Sequence, residues 1–180
     1  TRPVRKGQFI SVGALLAMSV LTLSGAYAAG TCFVNVRDFG ATGSGSNLFS
    51  VHDKIMDAIR SVDSLSGCGT VYFPKGTYYI DGEVHGYYTW QSDYRGIDVP
   101  SNITLEFAPG AVIRPTYRDP TLCPVYGYSL IRINGRHDVR IIGGQILGDR
   151  DLGHCSTDTR EDHTGLEIRG SRNVTIEDVG

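Results

Sequence analysis

One phrase occurs three times in this chain, and nothing else in it restricts the fold as strongly. VPSNITLEFA runs from Val99 to Ala108, GRHDVRIIGG from Gly135 to Gly144, and GSRNVTIEDV from Gly170 to Val179. Aligned on the apolar pair, Ile103, Val139 and Val174 fall in one column and Leu105, Ile141 and Ile176 in another. Ile97, Ile133 and Ile168 make a third column one strand earlier. The polar residues Thr104, Arg140 and Thr175 separate the first two columns. In an extended chain this alternation sends the apolar columns to one face and the polar column to the other. Asn102, Asp138 and Asn173 precede the run each time, at a corner where Asn and Asp accept a left-handed backbone.

A corner and a strand repeated at a period of about 35 residues describe a solenoid, in which each coil buries the face of the next. No Asn-Gly or Asp-Gly two-residue hairpin joins adjacent copies, as an up-and-down barrel would require. The period exceeds what three short strands and their turns consume. The surplus is assigned to two long loops, 109–128 and 145–164, projecting from one side of the column.

Upstream of the copies, Ser50 opens a helix through a capping-box pattern, Ser50-Val51-His52-Asp53. Val51, Ile55, Ile59 and Val62 follow at helical spacing, with Ala58 and Leu65 widening the stripe, and Ser66-Gly67-Cys68-Gly69 ends it. A stack of coils has an exposed end that aggregates unless covered. The helix, with one greasy face, is assigned as the N-terminal cap. Between helix and copies, VYFPKGTYYI reads as two short strands bent around Pro74-Lys75-Gly76, and Phe33 to Val36 as a strand leading into a Gly/Ser-rich loop.

The N-terminus has the marks of a secretory signal over residues 1–28: Arg2, Arg5 and Lys6, an apolar run from Phe9 to Leu23, then Ala26-Tyr27-Ala28. The apolar run is shorter than the roughly 20 residues a bilayer span needs. The expectation is a secreted protein, extracellular or periplasmic, without a membrane partner after cleavage. Residues 29–180 then form one domain, the N-terminal part of a longer solenoid, since neither end of the chain looks natural. Loss of the three signal cations moves the formal charge from -2 to about -5, which argues against nucleic acid as a partner. Cys32, Cys68, Cys123 and Cys155 form no CxxC pair, so zinc is not expected. In an oxidising compartment they allow two disulfides in any of three pairings.

The order NVRDFGATG, amphipathic helix, GCGTVYFPKGTYYI, SNITLEFAPGAVI and then the rungs resembles the pectate lyase-like superfamily, across nearly all of residues 29–180. The resemblance implies an all-β, right-handed parallel β-helix with an N-terminal capping α-helix. It also implies action on long, often acidic polysaccharides, as in pectate lyases, polygalacturonases and uronan epimerases. One departure is plain: relatives carry an acidic GDG-x-x-D-D-T stretch before the helix, where this chain reads GSGSNLFSVHD. None of the polygalacturonase signatures is present, and in that family they lie on later rungs, so the catalytic residues are expected beyond this stretch.

Within the chain, the loop GGQILGDRDLGHCSTDTREDHTG is the richest in chemistry. Asp149, Asp151 and His154 are the candidate substrate-binding residues; the two acids, at i and i+2, point the same way if extended. Glycoside hydrolysis needs two carboxylates astride a bond. A lyase or epimerase needs a base and a cation for the substrate carboxylate. No metal site is assigned from the residues; calcium, which the resemblance allows, takes several carboxylate oxygens. Against this stands the plain alternative that such a loop is merely solvated, with Arg150 and Arg160 pairing locally. Arg132, Arg140, Arg169 and Arg172 on or beside the rungs suit uronate carboxylates, but ion pairs between rungs explain them as well, Arg132 lying over Glu167. Tyr87, Tyr88, Trp90, Tyr94, Tyr117, Tyr126 and Tyr128 are equally divided between stacking on sugar and roofing a loop. The leading reading is a secreted enzyme degrading or modifying an acidic polysaccharide by hydrolysis or β-elimination, with epimerisation a third chemistry. The rival is a non-catalytic β-helix that binds cell-wall polysaccharide or acts as an adhesin.

Overall fold

The computed structural model describes residues 33–66, 69–81, 96–116, 129–148 and 164–180. The chain enters through β1 (Phe33–Asn35), a 3₁₀ turn (Val36–Phe39) and α1 (His52–Ser66). Three strands then recur per coil. The short β2 (Gly69–Phe73) and β3 (Gly76–Ile80) complete the first turn of the column. One full coil is β4 (Ile97–Asp98), β5 (Ile103–Phe107) and β6 (Ala111–Pro115). The next is β7 (Ser129–Asn134), β8 (His137–Ile142) and β9 (Gln145–Ile146), and β10 (Thr164–Arg169) with β11 (Arg172–Glu177) follows.

All pairings are parallel, and they sort the strands into three sheets. Sheet 1 has the order β1-β2-β5-β8-β11, sheet 2 is β3-β6-β9, and sheet 3 is β10-β7-β4. Each full coil, β4-β5-β6 and β7-β8-β9, contributes one strand to each sheet, so the molecule is a parallel β-helix. Ile133 lies opposite Ile168, Val139 opposite Val174, and Leu105 opposite Ile141 opposite Ile176, as the repeat requires. The inward columns are fully buried in the middle coils, from Ile103 and Leu105 to Val139 and Ile141.

Two details depart from the sequence reading. Ile97 lies opposite Ile131, two positions from the expected Ile133. The corner from Asp98 to Thr104 is two residues shorter than those from Arg132 to Arg140 and Glu167 to Thr175, so the first coil reaches sheet 1 with its strand in sheet 3 shifted. Further, β6 and β9 lie inside the spans read as loops. Both are short, and β9 has only two residues to show an alternation.

α1 covers the first coil as expected. Ile55, Ala58, Ile59 and Val62 are fully buried along one face. Ser50 Oγ accepts from His52 N at 3.2 Å and also from Asp81 N at 2.9 Å, so the capping hydroxyl pins the helix start to the end of β3. Asp53 Oδ1 lies 2.9 Å from His52 Nδ1, which gives that imidazole a local structural partner. The DFG segment forms the 3₁₀ turn, capped by the Asn35 side chain at Arg37 N and closed by left-handed Gly40.

Candidate functional site on sheet 3

The three corners are unequal. Sheet 3 passes to sheet 1 through short turns, as between β7 and β8 or β10 and β11, and sheet 1 passes to sheet 2 through turns as brief as Gly143-Gly144. The three long connections between strands leave sheet 2 and return to sheet 3: Ile80 to Ile97, Pro115 to Ser129, and Ile146 to Thr164. One side of the column therefore carries the loops, and sheet 3 is the strand surface at their foot. Asp149, Asp151 and His154 belong to the third connection and lie outside the described residues, as do the four cysteines, the signal segment and the loop aromatics.

What the described residues place at the loop foot is a polar stack. Asp98, Arg132 and Glu167 occupy the same outward position on β4, β7 and β10. Parallel strands are spaced by about 4.8 Å, so the backbones of the two acids stand about 10 Å apart with the guanidinium between them. Arg132 Nε is 3.5 Å from Asp98 Oδ1, and Arg136 Nη2 is 3.4 Å from Asp98 Oδ2. Glu167 accepts from Ser129 Oγ through one oxygen and pairs with Arg169 Nε through the other. Ser129 Oγ also lies 2.7 Å from Thr164 Oγ1. The Glu167 carboxylate is thus oriented from two sides and mostly screened from water.

The arginines named from sequence have carboxylates beside them, but Arg132 pairs with Asp98 rather than with Glu167, the partner expected. Arg132 faces Asp98, one rung back, and Arg140 Nη2 lies 3.3 Å from Glu177, one rung forward. Arg169 holds Glu167, and Arg172 lies close enough to Asp138 to help lower its pKa. Asp98 and Arg136 escaped sequence reasoning. Aligning the copies by residue count places Asp98 over Asn134, and only the shorter first corner brings it beneath Arg132. Among the described residues no three His, Cys, Asp or Glu side chains converge to hold a metal ion. Asp98 and Glu167 are each engaged by guanidinium, so this stack does not fit a calcium site.

Comparison with known proteins agrees with this geometry. The family model described as rhamnogalacturonase A/epimerase, pectate lyase-like, matches residues 33–91. The A-module of the Azotobacter vinelandii mannuronan C-5 epimerase AlgE4 superposes with a TM-score of 0.56 at 25% identity, over 82% of this chain and 37% of its own. This chain is a pectate lyase-like parallel β-helix. An iota-carrageenase in complex with iota-carrageenan fragments has the same fold, with a TM-score of 0.55 at 18% identity over 81% of this chain and 28% of its own. Two Bacillus subtilis proteins are similar in sequence. The uncharacterized protein YclG is 31% identical over 150 residues, covering 81% of this chain and 24% of its own length. The SPbeta prophage-derived uncharacterized protein YorA is 34% identical over 123 residues, covering 61% and 19%. The pectate lyase-like chain therefore spans about a quarter or less of the curated relatives it matches.

Proposed function

We propose that this β-helix serves a secreted enzyme that degrades or modifies an acidic polysaccharide, with the polymer lying along the outward face of sheet 3 beneath the long connections. The observation that carries the reading is the Asp98–Arg132–Glu167 stack. It puts carboxylates and guanidinium on the sheet to which the connections after β3, β6 and β9 return. Guanidinium matches the carboxylate of a uronic acid in a planar fork. Ionised acids nearby can orient sugar hydroxyls or serve in proton transfer. A straight, open face suits an extended chain, and the mannuronan epimerase of the same fold acts on a polyuronide. The loop acids Asp149 and Asp151, with His154, complete the surface in this reading, and hydrolysis or β-elimination is the chemistry proposed.

Incubating the protein with polygalacturonate and with alginate, then following reducing ends and ultraviolet absorbance from unsaturated uronates, tests the proposal. New reducing ends with absorbance mean elimination, and without it hydrolysis. Saturable binding with no product under either assay, and no change of uronate configuration by proton NMR, counts against an enzyme and identifies a polysaccharide-binding protein.

A further inference from the structure

We infer that the outward face of sheet 1 carries a second binding site, in which Phe33, Tyr72 and Glu106 form a platform for a neutral, β-linked pyranose polymer with equatorial hydroxyls. The long connections between strands span the corner between sheets 2 and 3, which sheet 1 does not border. The platform is therefore separate from the sheet 3 surface, and it stands whether or not that surface carries catalysis.

Register places the three side chains on one surface. Val34 lies opposite Val71, and Val71 opposite Leu105, which fixes these as the inward row. The alternation then sends Phe33, Thr70, Tyr72, Thr104 and Glu106 outward. The Phe33 and Tyr72 rings stack with centroids 5.8 Å apart and planes at 29°. Phe33 is still 50% exposed, on the edge strand of the sheet. Exposed edges are ordinarily guarded by charged side chains, because a bare apolar one invites aggregation. Joining β1 to β2 does not require a ring left half in water, so Phe33 reads as a contact residue.

Glu106 sets the polarity of the platform. It lies opposite Tyr72 on the next strand and is exposed. Among the described residues no cation pairs with it, and Arg140 on the same face is turned to Glu177 at 3.3 Å. A pyranose with equatorial hydroxyls has apolar C–H faces and a polar rim. Its face can lie on an aromatic ring while its rim donates to a carboxylate, which only accepts. Thr70 and Thr104, in the outward row beside these residues, add hydroxyls that both donate and accept. A uronate would bring its own carboxylate against Glu106, and like charges repel. The platform thus selects a neutral sugar, the reverse of what guanidinium on sheet 3 selects.

Calorimetric titration with cellohexaose, a neutral β-linked glucan, and with oligogalacturonate tests the site. Cellohexaose should bind with a Kd of about 0.1–1 mM, as a shallow open surface allows, and with little dependence on salt. F33A and E106A should each weaken that binding about tenfold. Oligogalacturonate, which belongs on sheet 3, should be unaffected by either variant. Thermal melts matching the parent protein confirm that the variants fold. Should F33A melt early, F33L keeps the apolar bulk without the flat face and should show the same loss. No binding of cellohexaose, or F33A and F33L variants that bind it as tightly as the parent, overturns the site. Loss of oligogalacturonate affinity instead of cellohexaose affinity in F33A overturns the preference for a neutral sugar. A concentration-dependent dimer in sedimentation that F33A abolishes assigns the platform to a second copy of this chain and overturns the glycan. Oligogalacturonate neither bound nor turned over, while cellohexaose behaves as stated, sinks the reading of sheet 3 and leaves this site standing.

Discussion

Asn102, Asp138 and Asn173 adopt φ of 63°, 56° and 52°, three left-handed residues stacked at one corner of the column. An ordinary L-residue gives up roughly 1–2 kcal/mol to sit there, which is why the position recurs as Asn or Asp. The corner also communicates between coils, because Asn173 Nδ2 donates to Asp138 Oδ1 at 2.9 Å. That bond is the main reason the Asp138 carboxyl titrates below its ordinary 3.8; a hydrogen bond from His137 and the charges of His137 and Arg172 add to it. Since the folded chain prefers the anion, the contribution is full above the ordinary value and disappears as pH falls through the lower folded value. Urea midpoints measured from pH 6 down to pH 2 should therefore fall less steeply in Asp138→Asn than in the parent. Superimposable acid limbs would show that the carboxylate is not coupled to folding.

At the scale of elements, the corner between sheet 1 and sheet 2 is where the coils come closest. Gly144 has φ of +75°, and a Cβ there would lie 2.6 Å from Phe107 Cβ on the neighbouring coil. Gly135, at the corner between sheets 3 and 1, has φ of +63° but nothing within 4 Å of a Cβ. Alanine at Gly135 thus meets only the backbone penalty, about 1 kcal/mol, while alanine at Gly144 adds a clash and should reach about 2–4 kcal/mol. Urea denaturation of the two variants checks the difference, and equal losses would mean that the coils can separate locally. The glycine pair in GRHDVRIIGG was plain in the sequence, but its reason was not, since Phe107 approaches from the coil before. The same distinction governs the other elements. α1 was legible because four apolar residues at helical spacing state which face is buried. β6 went unrecognised because it sits inside a segment read as a loop, although Ala111 and Ile113 are as buried as any core residue.

For the whole molecule, the repeat made the stack legible and hid the site. Columns of like residues announce themselves, whereas Asp98 and Arg136 have no counterparts in the other copies and meet only because the first corner is two residues short. Stacking also means that each coil is stabilised chiefly by its neighbours. Ile141 has β5 on one side and β11 on the other and is fully buried. Ile141→Ala should therefore remove about 2–5 kcal/mol, since it empties a closed site. Amide hydrogen exchange should place β5 and β8, each paired on both sides, among the segments that open only in global unfolding. Urea denaturation of the variant checks the first figure, and a loss below about 1 kcal/mol would mean that the neighbouring coils close over the space.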